Sequence, residues 1–178
     1  MKQILFIIHI VGTLYSCGGP VEPVDKELAY ILKIENCDSL MNSPVFQKHN
    51  IFNWPNKKPK SITEAVLLLD EVTNDYTKHQ YRICDGVDLY FGSGMAIRNE
   101  WVRNGEPELS EQLYVRLKLN HPDNTSGLII LYFTEFIKDG EMDVMQTIGN
   151  RMDADSLVSV KTEILRIQDE LKLLKANR

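Results

Sequence analysis

Arg98 stands where a cation is costly. At helical spacing its stripe otherwise holds Phe91, Met95 and Val102, and an unpaired charge turned toward a core costs several kcal/mol. Asp123 and Glu64 are the candidate carboxylate partners. Two readings satisfy Arg98. One is an internal ion pair that ties helices together; the other is a ligand-binding guanidinium, which would share a pocket with Asn99, Trp101, His121 and Asp123. His121 and Asp123 are two residues apart, so they serve either as base and orienter or as caps for free amides at a helix start. No further chemistry is spelled out. His49, His79 and His121 are scattered, the cysteines form no C-x-x-C, and no Ser lies in a nucleophile elbow. The reading therefore names no catalytic residue, no metal and no cofactor, and leans away from an enzyme.

These side chains need elements to hold them. The periodicity predicts a mainly α fold, a compact domain of about five or six helices, with a short strand near 142–148. Residues 26–60 read as a helix over Leu28, Ile31, Leu32 and Glu35, then an irregular stretch from Cys37, broken by Pro44, Pro55 and Pro59 and pinned by Val45, Phe46, Ile51, Phe52 and Trp54. Ser61-Ile62-Thr63-Glu64 is a capping box and opens a helix to about Val72. The helical domain runs over 61–150. Within it, Asp75 to Tyr81 adds a turn or two and Val87 to Val102 makes a helix. Gly92-Ser93-Gly94 in that helix is not a nucleotide loop, because the third Gly of the pattern is replaced by Ile97 and no strand precedes it. Glu108 to Leu119 is a further helix, and His121-Pro122-Asp123 starts the central apolar one, which Asp139-Gly140 ends. Leu157, Val160, Ile164, Ile167, Leu171 and Leu174 form a heptad seam in an amphipathic carboxy-terminal helix over 153–176. That seam packs along the domain or, as a second reading, self-associates through 157–174.

The chain has 178 residues and a net charge of −5, with 43% hydrophobic and 25% charged residues. This suits one globular domain with appendages. The acidic balance and the want of a long basic run argue against nucleic acid. The short cluster Lys57, Lys58 and Lys60, interrupted by Pro59, reads as a solvated loop.

The amino terminus carries an address. Lys2 precedes an apolar run from Ile4 to Val11, broken by His9 and continuing to Tyr15, too short for the roughly 20 residues a membrane span takes. Leu14-Tyr15-Ser16-Cys17 resembles the lipobox of bacterial lipoproteins. The resemblance implies a signal peptide over 1–16, lipidation of Cys17, and a lipid-anchored position on the periplasmic or outer-surface side of the cell envelope, with 17–25 as a tether. Membrane contact would then run through Cys17, and two or more acyl chains are what stable anchoring takes. Cys37 and Cys84 would remain, in a compartment that permits a disulfide. They are either joined or two separate buried apolar side chains; spacing alone cannot bring the sulfurs together, and the reading favours the second.

From Pro59 to Lys138 the chain also resembles an uncharacterised bacterial domain family. The residues that carry this are Ser61-Ile62-Thr63-Glu64-Ala65-Val66, Gly94-Met95-Ala96-Ile97-Arg98-Asn99 with Trp101, and His121-Pro122-Asp123 leading through Ser126-Gly127. The family supplies no activity. A remoter resemblance, of Tyr114 to Asn124 to the helix and loop of a J-domain co-chaperone, lacks that family's opening segment and most of its basic helix. The expectation is a lipid-anchored envelope protein that binds an unidentified protein partner without catalysis; the alternative is an enzyme or small-ligand binder using Arg98, His121 and Asp123.

Overall fold

Asp25, Asn36, Ser61, Asn74 and His121 each lie in extended backbone and accept a main-chain N–H from the turn that follows. Five helices thus begin at a capping side chain, which serves donors that a helix start leaves free. The structure is a computed structural model that describes residues 25–49, 54–84, 93–138, 141–149 and 154–178. The signal, Cys17 and most of the tether lie outside the described residues, as do Ile51 and Phe52, the first part of the helix expected from Val87, and the Asp139-Gly140 stop.

The elements are α1 (Lys26–Ile31), α2 (Cys37–Met41), α3 (Pro44–His49), α4 (Ile62–Val72), α5 (Asp75–Ile83), α6 (Ile97–Arg103), α7 (Pro107–Ser110, continued by a π-helical Glu111–Arg116), α8 (Pro122–Ile137), α9 (Val144–Gly149) and α10 (Ala154–Ala176). The fold is mainly α, from more and shorter helices than the sequence suggests. Two expectations are corrected. The first part of the stretch from Cys37 is not irregular, for α2 and α3 occupy it, while 54–60 are irregular as expected; Asn36 caps α2, and Pro44, expected as a break, is the first residue of α3. The strand expected near 142–148 is helix α9. Val144 and Ile148 are both buried, which four-residue spacing on one helix face achieves as well as alternation does. Asp143 Oδ1 accepts the Gln146 N–H at 2.9 Å and fixes the start of that turn.

Packing divides into two cores. The larger gathers buried side chains of α4 and α6 to α10 with Tyr81 of α5, and α8 runs through it with Ile129, Tyr132, Phe133 and Phe136. The smaller is Ile31, Leu40, Phe46 and Tyr76, from α1, α2, α3 and α5. Beside it Cys37 and Cys84 are joined by a disulfide, with Cα atoms 4.9 Å apart, so the reading that favoured two separate thiols is not what the fold adopts. The start of α2 and the end of α5 bring those sulfurs together, a juxtaposition no local pattern announces.

Four of the six residues of the carboxy-terminal seam pack within the chain, and Leu174 is exposed. Val160, Ile164, Ile167 and Leu171 are buried in the larger core, Tyr132 donates its hydroxyl proton to the Ile164 carbonyl at 3.3 Å, and Gln168 Nε2 donates to the Met142 carbonyl at 3.1 Å. Arg178 then pairs with Asp70 and lies 4.8 Å from the Phe136 ring centroid.

Candidate functional site

Two helices position the residues singled out by the sequence. α8 begins with His121 as cap, its Nδ1 accepting the Asp123 N–H at 3.2 Å, and Pro122 in the first turn, where a missing N–H costs nothing. Thr125 and Ser126, both buried, turn their hydroxyls back onto the Pro122 and Asp123 carbonyls at 2.6 and 3.1 Å. This opening turn holds Asp123 where the helix dipole favours a negative charge. α6 crosses nearby and presents Arg98.

Arg98 Nη1 donates to Asp123 Oδ1, the side chains being 19% and 31% exposed. Of the two carboxylates named for it, Asp123 is the partner. Glu64 is committed elsewhere, to Lys57 and to the Lys60 N–H at 2.8 Å, and these hold its carboxyl below the usual range, the Lys57 contact most strongly. Next to the pair stands His121, with Nδ1 3.4 Å from Asp123 Oδ2 and its side chain 62% exposed. Arg98, Asp123 and His121 therefore form one partly open cluster at the α6–α8 contact.

Asn99 and Trp101 do not join it. Asn99 is exposed and bonds locally: its Oδ1 accepts from Arg103 at 3.3 Å and its carbonyl from Asn104 at 2.8 Å. Trp101 is fully buried, its ring centroid 4.6 Å from that of Trp54. α6 is wound as a π-helix. Ile97, Trp101 and Val102 are buried along it, whereas Arg98 lies at the rim and Met95 is exposed. Gly105 then turns the chain against Trp101: a Cβ there would fall 1.7 Å from the Trp101 carbonyl oxygen.

Other polar groups were not visible as a set in the sequence. Gln112, buried on the π-helical continuation of α7, accepts the Ile62 N–H at 2.8 Å and donates to Glu163 of α10 at 2.9 Å. Thr63 donates to Glu170 at 2.7 Å, and Arg166 spans Glu163 and Glu170. Arg166 above all holds the Glu163 carboxyl below its ordinary value. The only advance sign was the acidic and basic spacing along α10. Lys57, Lys58 and Lys60 also have partners, on Glu64, the Asn104 carbonyl and Glu108. They staple the approach to α4 onto its neighbours.

Among the described residues no three His, Cys, Asp or Glu side chains gather as metal ligands, and no helix is long and apolar enough to cross a membrane. A hollow of about 280 Å³ is lined by Glu141, Met142, Lys172, Lys175 and Ala176, none of them in the Arg98 cluster.

Residues 58–136 match a family described as Domain of unknown function (DUF6794). The match runs from the Lys58 staple through the Arg98 cluster to the penultimate residue of α8, and lies within a residue or two of the span read from the sequence as an uncharacterised domain. No curated protein matches the chain, and no solved structure does.

Proposed function

We propose that this is a lipid-anchored protein of the bacterial cell envelope, attached through Cys17, whose helical domain binds another protein and performs no catalysis. The observation that carries the address is the Cys37–Cys84 disulfide in a chain that also has Leu14-Tyr15-Ser16-Cys17. Disulfides persist in oxidising compartments and are rare in a reducing cytosol, so the bond and the lipobox support the same side of the membrane. The activity side rests on how the reactive groups are employed. Arg98 is engaged by Asp123, His121 caps α8, and Trp101 fills the core. Each has a structural task.

The test has two parts. The protein recovered from membranes should begin at Cys17 and carry acyl mass, while Cys17→Ala should leave the membrane fraction. Crosslinking on intact cells followed by pull-down should then yield one protein partner with the anchored form. A soluble wild-type chain without acyl mass would overturn the anchoring. Turnover of a small molecule that Arg98→Met abolishes in a still-folded protein would overturn the non-enzymatic reading in favour of a site at Arg98, His121 and Asp123.

A further inference from the structure

The exposed side of α1 has an unusual makeup for a surface that meets only water. Lys26, Tyr30 and Lys33 are spaced by four and three, so they share a face, and the Lys33 N–H bonds to the Tyr30 carbonyl at 3.2 Å, carrying the winding past Ile31. All three are exposed, Tyr30 at 55%, with Leu32 beside them at 44%. The opposite side is spoken for, since Ile31 is fully buried and Leu28 packs on the same small core. An aromatic ring between two long cationic chains suits the bilayer headgroup zone. There the apolar body of Tyr and the methylene stems of Lys find cover while their polar tips stay wet.

The chain's own geometry supplies the occupant. Eight residue steps separate Cys17 from Asp25, about 29 Å at full extension and roughly 15–17 Å as a relaxed Gly-containing coil. α1 is the first element after that tether. We infer that the Lys26, Tyr30 and Lys33 stripe of α1 rests in the headgroup zone of the bilayer that holds Cys17 and seats the N-terminal module on it, an inference that rests on the lipidation proposed above. A short tether sets an effective concentration in the millimolar range, so a contact too weak to recruit a free protein is enough to orient an anchored one. The acids on either side of Lys26 are used inside the module: Asp25 takes the Tyr76 hydroxyl at 2.7 Å, and Glu27 takes Lys48 at 3.1 Å and His49 at 2.5 Å. Glu35 and Asp38 are exposed further on. The contact thus draws on the Tyr30 ring and on the two lysine cations together.

The experiment places the full lipidated protein in phosphatidylethanolamine and phosphatidylglycerol vesicles whose acyl chains are brominated near the headgroup. Indole emission of Tyr30→Trp is compared with that of the parent, whose tryptophans are Trp54 and Trp101. The introduced indole should lose emission that the parent retains. Adding Lys26→Glu and Lys33→Glu should restore most of it, with flotation unchanged. If Tyr30→Trp floats with its acyl mass but is quenched no more than the parent, the seat is wrong and the anchor stands. If the chain neither floats nor carries acyl mass, the anchoring itself fails and the seat falls with it.

Discussion

Tyr76 and Tyr81 lie on one helix, α5, and serve different cores. Tyr81 meets Phe133 edge-on at 4.9 Å within a cluster of twenty-five buried residues; Tyr76 stacks on His49 at 4.4 Å and shares its cluster with three. The larger region is held by apolar burial and close packing. The smaller gathers four buried side chains among the described residues and has further fastenings, as small units commonly do. A disulfide closes it. Along α5, His79 Nε2 donates to the Ile34 carbonyl at 2.7 Å and, at its start, Asn74 Nδ2 to the His49 carbonyl at 2.9 Å. The difference teaches where cooperativity should end: along α5, whose Tyr76 belongs to the core that follows the tether and whose Tyr81 belongs to the larger one.

The largest effect should come from emptying one core and then the other. Phe133→Ala should cost about 3–5 kcal/mol and unfold the molecule as a whole in denaturant titration. Phe46→Ala removes a similar volume, yet should raise amide exchange only over α1 to α3, leaving α4 and α8 protected. Global unfolding by Phe46→Ala would show that the two regions are one.

Removing the disulfide with Cys37→Ala and Cys84→Ala comes next. The bond spans 47 residues, for which the chain-entropy estimate is about 4 kcal/mol. The loss should be confined to the N-terminal module, read as protease cleavage within 26–49 while the rest resists.

Arg98→Met should cost less, about 1 kcal/mol or below, because the pair is partly solvated and Asp123 keeps its favourable place at the α8 start. A thermal melt that drops as far as that of Phe133→Ala would mean the pair belongs to the core after all.

Acid should produce the mildest asymmetry. The Tyr76 hydroxyl first, then the Leu28 amide, holds the Asp25 carboxyl below its ordinary 3.8; His49 and then Lys48 hold that of Glu27 below 4.5. A carboxyl lowered on folding stabilises fully above its unfolded value and loses that contribution as pH falls through its folded one. Glu64 and Glu163 in the larger region behave likewise, but that region has the apolar burial to tolerate the loss. As pH falls below about 4.5, the tyrosine spectrum near Tyr76 should change before Tyr81 is released from Phe133.

How much could be read from residues alone follows the same division. The Ser61 cap, the Pro122 start and the α10 helix are legible because each is local, and each sits in or against the larger core; of the expected capping box only the Ser61 half forms, since Glu64 takes the Lys60 N–H. α2 and α3 are not, since Pro44 reads as a break but stands at the first position of α3, where proline is tolerated. The disulfide was left open because sulfur proximity is a tertiary fact. In the site, Asp123 is named for Arg98 and found there, whereas Trp101, named beside them, is buried in the core at a spacing of four from the equally buried Ile97. α10 supplies Val160, Ile164, Ile167 and Leu171 to the core although it lies beyond residues 58–136, so the matched span and the packed unit differ.

Amide exchange on the full chain, followed by mass spectrometry with and without a thiol reductant, tests the two-core account most directly. Reduction of Cys37–Cys84 should speed exchange across α1, α2 and α3 and leave α4, α8 and α10 at their oxidised protection. Equal loosening of both regions, or no change over α1 to α3, would contradict it.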